Sequence, residues 1–343
     1  MPPLLTIGLP VYNSMPYLRE TFESLLAQTV SDFKILAVAD DCSDGSLEYL
    51  ESIRDPRLRI IRRPRGGLAS ALNRMLRETE TPWLVRQDTD DISYPNRVER
   101  VLDSINSFPD AGMFYSLADY YPKDQCLGQF RCSRGSPAEL RKLVKSGYLL
   151  SFCHPSVVLN KEKTVAVGGY RENVHVEDAD LWWRMALAHD IRLIPLALVG
   201  YRQNSSSLVT RYFTRGHVEG LYIQYCLLSH LWSLPAHPLE QVKQRLESFV
   251  QMKDLKAKEH LRNVNMLLAA GRYSSAAAEA LRCCTTSPMF LLRRALDEVH
   301  LSGMICNGVN PRLYLQHKHE FWPSSAASDP HLGRSSRICP QCD

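Results

Sequence analysis

The chain has 343 residues, 45% hydrophobic and 23% charged, with a formal net charge of +4. These proportions are those of an ordinary soluble globular protein, and so mild a charge does not argue for nucleic acid, which is not expected as a partner. No window reaches the roughly 18 apolar residues of a membrane span. Met1-Pro2-Pro3-Leu4-Leu5 lacks the basic segment and apolar core of a secretory signal. Ten irregularly spaced cysteines then point to reduced thiols in a cytosol.

In chain order, Leu5 to Val11 is an apolar run that reads as a strand and ends in Tyr12-Asn13-Ser14. A helix begins near Met15-Pro16, proline being tolerated in a first turn, with Leu18, Phe22, Leu25 and Leu26 at helical spacing. Phe33 to Ala39 is the next strand and runs into Asp40-Asp41-Cys42-Ser43-Asp44-Gly45; a short helix with Leu47, Leu50 and Ile53 follows. Leu58 to Ile61 makes a third strand, Pro64-Arg65-Gly66-Gly67 a break, Leu68 to Arg77 a helix and Trp83 to Arg86 a fourth strand. Strand-like Gly112 to Ser116 and Ser156 to Leu159, a helix carrying Leu181, Trp182, Met185 and Leu187, and a strand at Arg192 to Leu196 complete this part. Beyond about Thr210 the pattern turns helical. Leu221 to Leu234 is a packed amphipathic helix, Val242, Leu246, Phe249 and Val250 form a stripe, and Asn265 to Arg282 reads as a helical hairpin turning at Gly271. The expected division is an α/β domain over 1–210, a helical accessory region over 211–325 and a loose tail over 326–343. Cys339 and Cys342 in that tail have the spacing of half a zinc knuckle without a second pair.

Repeated strand-helix-strand units predict a doubly wound, mostly parallel, Rossmann-like α/β sheet covered on both faces. Ligands bind beyond the carboxyl ends of such strands. Tyr12-Asn13, Asp40-Asp41 and Asp88-Thr89-Asp90-Asp91 all fall at those ends. Three carboxylates within four residues repel one another unless a cation sits among them, and Mg²⁺ or Mn²⁺ takes such oxygens together with substrate phosphate oxygens.

Pro10-Val11-Tyr12-Asn13, Asp40 to Ser46, Gly67…Asn73, Asp88 to Asp91 and Glu177-Asp178-Ala179-Asp180-Leu181-Trp182 resemble, in order and spacing, the family 2 glycosyltransferases of the GT-A fold. The resemblance runs over roughly residues 4 to 205. It implies that Pro10, Val11, Tyr12, Asn13 and Asp40 hold the nucleotide, with Asn73, Asp88, Thr89 and Arg202 completing the donor site. By the same resemblance Asp90 and Asp88 ligate Mn²⁺ or Mg²⁺, Asp178 is the catalytic base with Glu177 beside it, and His154, Asp91 and Trp182 lie toward the acceptor. Two positions depart from the pattern: Arg65 stands where an asparagine is common, and Asn204 where a histidine is.

The expected activity is metal-dependent, inverting transfer of one sugar from a nucleotide-diphosphate sugar, a UDP-sugar in the first instance. The acceptor would be a glycan, a lipid-linked molecule or a protein. The expected location is the cytoplasm, with peripheral association at the inner face of a membrane compatible with the helical part. The alternatives are a nucleotidyltransferase that makes sugar nucleotides, for which Pro10 to Ser14 lacks a triphosphate-gripping loop, and a non-catalytic nucleotide-sugar-binding protein on the same fold.

Overall fold

The computed structural model describes residues 3–122, 128–202, 213–269, 271–292 and 306–323. Asn204 and the Cys339/Cys342 pair lie outside them. Two compact units emerge, the first built from 1–140, 151–173 and 184–204, the second from 141–150, 174–183 and 205–343.

The first unit holds eight strands: β1 (Leu5–Val11), β2 (Lys34–Asp40), β3 (Leu58–Arg63), β4 (Trp83–Arg86), β5 (Ile92–Ser93), β6 (Met113–Tyr121), β7 (Val157–Asn160) and β8 (Ile191–Arg202). They form one sheet in the order β3-β2-β1-β4-β7-β6-β8-β5. β3, β2, β1 and β4 are mutually parallel, as are β6 and β8. β7 runs antiparallel between β4 and β6, and β5 antiparallel to β8. The sheet is thus mixed. All seven residues of β1 are buried, which is why its sequence is a continuous apolar run rather than an alternating one. Leu18, Phe22 and Leu25 of α1 (Leu18–Leu26) join β1, Trp83, Val85 and Phe114 in the main core. α2 (Ser46–Ser52) and α3 (Leu68–Glu78) fill the other crossovers.

Three features escape the periodicity. Helix α4 (Arg97–Ser107) buries Arg97 along with Val98, Val101 and Ile105, so a charged residue occupies a core position and blurs the stripe. β6 and β8 extend well past their apolar stretches. Their pairing jumps from Ser116↔Ile194 to Leu117↔Ala197, so Pro195 sits in a bulge where its missing N–H costs no ladder bond. β5 has only two residues, too few for any pattern. Short helices α5 (Pro137–Lys145) and α6 (Lys161–Ala166) complete the region before α7 (Glu177–Ala188).

The second unit is helical: α8 (Phe213–Leu231), α9 (Leu239–Ser248), α10 (Met252–Ala269), α11 (Tyr273–Thr286), α12 (Arg312–Gln316) and α13 (Lys318–Phe321). α10 and α11 are the expected hairpin, with Gly271 at φ +68° in the turn, although the first helix starts earlier than its Ala/Leu-rich half suggests. Tyr225, Trp322, Phe321, Tyr314 and Phe249 form an aromatic cluster with centroid spacings of 5.0 to 5.8 Å. Among the described residues, no helix is long and apolar enough to cross a membrane.

Candidate active site

Because β2, β1 and β4 are adjacent and parallel, the loops that follow them emerge on one edge of the sheet. They are also bonded to each other. Asn13 takes a left-handed backbone, φ +45°, and its Oδ1 accepts the N–H of Ser43 at 2.8 Å; Asp41 is left-handed too, φ +57°. Ser14 N–H donates to Ser46 Oγ at 2.9 Å and Met15 N–H to Asp44 Oδ2 at 2.8 Å, joining the first loop to the second. Thr89 Oγ1 bonds Ser14 Oγ at 2.7 Å, and Thr21 Oγ1 donates to Thr89 O at 2.9 Å, joining the tetrad to the first loop and α1. Polar side chains between three strand ends thus fix the shape of this rim.

The tetrad rests on buried cations. Arg86, 1% exposed, places Nη1 2.7 Å from Asp88 Oδ1. Arg97, also 1% exposed, donates to Gln87 Oε1 (2.6 Å), Ser93 Oγ (2.9 Å), Arg86 O (2.8 Å) and Pro155 O (2.6 Å). Its burial pushes its pKa down to about 10. The guanidinium therefore ties β4, β5 and the turn before β7 into one support. Arg86 had a readable signal, a cation closing an apolar strand immediately before three carboxylates; nothing in the apolar pattern marks Arg97 as buried.

Asp88 and Asp90 are partly exposed at the rim. Asp91 is fully buried: Oδ1 accepts the Arg202 N–H at 2.7 Å and Oδ2 has no hydrogen-bond partner. Burial, then repulsion from Asp90 and Asp88, holds its carboxyl well above the usual range. Asp88 and Asp90 are two crowded carboxylates on the rim whose mutual repulsion a hard cation relieves, with the unpartnered Asp91 Oδ2 buried beside them, so these residues fit Mg²⁺ or Mn²⁺. No group of three or more His, Cys, Asp or Glu side chains is placed to hold a metal among the described residues. Two carboxylates are the usual protein share for a cation whose remaining ligands are water and substrate phosphate.

Several expectations change in detail. Asp40 is 4% exposed; Oδ1 accepts Gly66 N–H and Oδ2 accepts Gly67 N–H, both at 2.9 Å, and Arg63 Nε lies 3.0 Å from Oδ1. A carboxylate expected to read a base is engaged as the clamp of the Gly66-Gly67 loop, and the two glycine N–H groups point at it. That clamp carries Arg65, whose guanidinium lies over the Tyr12 ring at 4.5 Å, while Tyr12 is 41% exposed. Asn73 donates from Nδ2 to Tyr170 O (2.8 Å) and Glu172 Oε1 (2.9 Å) and accepts Tyr170 N–H, so its amide joins α3 to the Gly169-Tyr170 loop. Arg202 donates from Nε to Asp90 O at 2.8 Å and pairs with Glu20 through Nη2, so it braces the tetrad rather than standing open toward a diphosphate.

His154 Nε2 lies 3.2 Å from the Tyr170 hydroxyl, and desolvation followed by repulsion from Arg86 holds its imidazole well below its ordinary value. Two acceptor-side expectations are corrected by burial: Asp91 at 0% and Trp182 at 1% exposure are enclosed and face no solvent. In the second unit, Glu177 (5% exposed) and the partly exposed Asp178 occupy the first turn of α7, and Asp178 Oδ1 accepts the Ala179 N–H at 2.7 Å. Pro10 and Val11 are buried at the end of β1.

Comparison with known proteins bears on this arrangement. The model of the family described as Glycosyl transferase family 2 matches residues 6–161. A Haemophilus influenzae protein described as an uncharacterized glycosyltransferase is 28% identical over 183 residues, covering 52% of this chain and 67% of that protein. Chondroitin synthase of Pasteurella multocida is 34% identical over 102 residues, covering 29% of this chain and 11% of the synthase, so the chain spans only about a tenth of that relative. Among solved structures, S. aureus TarS superposes with a TM-score of 0.50 at 16% identity, covering 79% of this chain and 54% of that one.

Proposed function

We propose, on the match of residues 6–161 to the Glycosyl transferase family 2 model, that the chain is a metal-dependent, inverting, non-processive glycosyltransferase using a UDP-sugar. The observation that carries this reading is the hydrogen-bonded rim built from three adjacent parallel strand ends, with Asp88 and Asp90 partly exposed on it. The exposed Tyr12 ring and the Arg65 guanidinium above it offer an aromatic face and donor-only nitrogens, which suit the carbonyls of uracil. Asp88 and Asp90 would hold the divalent cation, which when bound neutralises the departing diphosphate as a Lewis acid.

Asp178 accepts the proton of the acceptor hydroxyl as that oxygen bonds to the anomeric carbon. The bond from that carbon to the diphosphate oxygen breaks, and the electron pair leaves with the nucleotide. One displacement of this kind inverts the centre. A positioned base contributes about 10²–10⁴ in rate. The acceptor is a glycan, lipid-linked or protein hydroxyl, reached in the cytoplasm or at a membrane's inner face.

A thermal-shift panel of nucleoside diphosphates and their sugars, with and without Mn²⁺, tests the donor. Stabilisation by uridine nucleotides that depends on metal is expected, and its absence for every nucleotide rejects the reading. Asp178→Asn should keep donor binding and abolish transfer; undiminished turnover refutes the base assignment.

A further inference from the structure

Arg202 ends β8, and its donor contacts either reach the tetrad or hold the side chain against it. Its N–H donates to Asp91 Oδ1 (2.7 Å) and its Nε to Asp90 O (2.8 Å), one bond to each of two successive tetrad residues. The guanidinium lies over the rings of Tyr17 (4.7 Å) and Tyr121 (4.8 Å). Its Nη2 pairs with Glu20 Oε2. The other Glu20 oxygen, Oε1, accepts the Tyr121 hydroxyl at 2.5 Å. The Tyr121 ring in turn lies across Gly200, where an added Cβ would come within 3.0 Å of it. α1, β6 and β8 therefore converge on one guanidinium, and its orientation sets the backbone of Asp90. Glu20 is the exposed member of this set, and nothing in the sequence pattern singles it out.

We infer that Glu20 is a positioning residue for the cation-binding carboxylate Asp90, acting through Arg202. Glu20 does two things. It fixes the rotamer of Arg202, so that Nε stays on the Asp90 carbonyl. It also neutralises a guanidinium that would otherwise compete with a cation for the tetrad's negative charge. Both effects have the same sign, so losing Glu20 weakens cation binding. The inference rests on the proposed cation role of Asp88 and Asp90.

The test measures Mn²⁺ affinity by electron paramagnetic resonance of free Mn²⁺ in the presence of UDP, alongside UDP affinity without metal and thermal unfolding. Glu20→Ala should weaken Mn²⁺ binding roughly tenfold, as loss of a partner outside the ligand shell does, with metal-free UDP affinity and the unfolding temperature unchanged. Tyr121→Phe leaves every charge in place and should shift Mn²⁺ affinity in the same direction by a smaller factor. Unchanged Mn²⁺ affinity in Glu20→Ala overturns the inference, as does an equal loss of metal-free UDP binding. If the unaltered protein binds UDP with no Mn²⁺ dependence, the cation reading itself fails, and this inference falls with it.

Discussion

Asp40→Asn separates two roles that the same residue could serve. In the structure the carboxylate accepts the Gly66 and Gly67 N–H groups at 2.9 Å each, and its Oδ1 lies 3.0 Å from Arg63 Nε. An asparagine has one acceptor oxygen, so one glycine N–H keeps a partner and the other meets an amide NH₂. Loss of one charge-assisted bond costs about 1.5–3 kcal/mol. Arg63, whose side chain is only 18% exposed, also loses its counter-ion. Breaking a pair of this burial brings the total to about 3–5 kcal/mol. At roughly 2–4 °C per kcal/mol for a unit of this size, thermal unfolding should fall by about 6–20 °C without any nucleotide present. Differential scanning calorimetry of the ligand-free protein reads this directly. An unfolding temperature unchanged within error, together with lost UDP affinity, would refute the clamp and return Asp40 to base recognition.

Three further outcomes follow from the same geometry. Arg97→Met removes four hydrogen bonds from a buried guanidinium and should cost about 3–5 kcal/mol; Arg97→Lys, which keeps the charge without the fork, should cost less, and equal unfolding temperatures for the two would contradict this. His154 is held neutral when folded, so the unfolded chain alone takes up a proton below the ordinary value of 6.5. Stability from this group is intact above that pH and lost as pH falls beneath it. Between about pH 7.5 and 5.5 the native protein should therefore lose more unfolding temperature than His154→Gln, and parallel losses would remove the assignment. Gly112→Ala would set a Cβ 2.4 Å from His189 Cβ and 3.1 Å from Met185 Cε. Overpacking of this kind should destabilise by about 1–3 kcal/mol, read as a lowered denaturation midpoint.

The nucleotide-binding half was legible because its physics is local. Leu5 to Val11 and Trp83 to Arg86 are buried on both faces and so read as unbroken apolar runs, and the polar residues that interrupt them mark the rim. What lay beyond periodicity was partnership. Nothing in the spacing says that Asp40 would be spent on two glycine N–H groups, that Asn73 would be tied to Tyr170, or that Arg97 would be buried inside α4. Each follows from pairing between residues 26 or more positions apart or from a charged group placed in a core. Asp91 and Trp182 show the complementary failure. The motif resemblance put both toward the acceptor, whereas the fold encloses their side chains, at 0% and 1% exposure.

Arg86 closes β4 and Ile92 opens β5, and these strands occupy the centre and the far border of the sheet. The five residues between them are therefore strung between two anchored points, with Thr89 moored midway to Ser14 and Thr21. Such a span has little wandering left to surrender when a ligand arrives. Its ordering was completed during folding, so association should show a small entropic penalty, and affinity should come mainly from the contacts themselves.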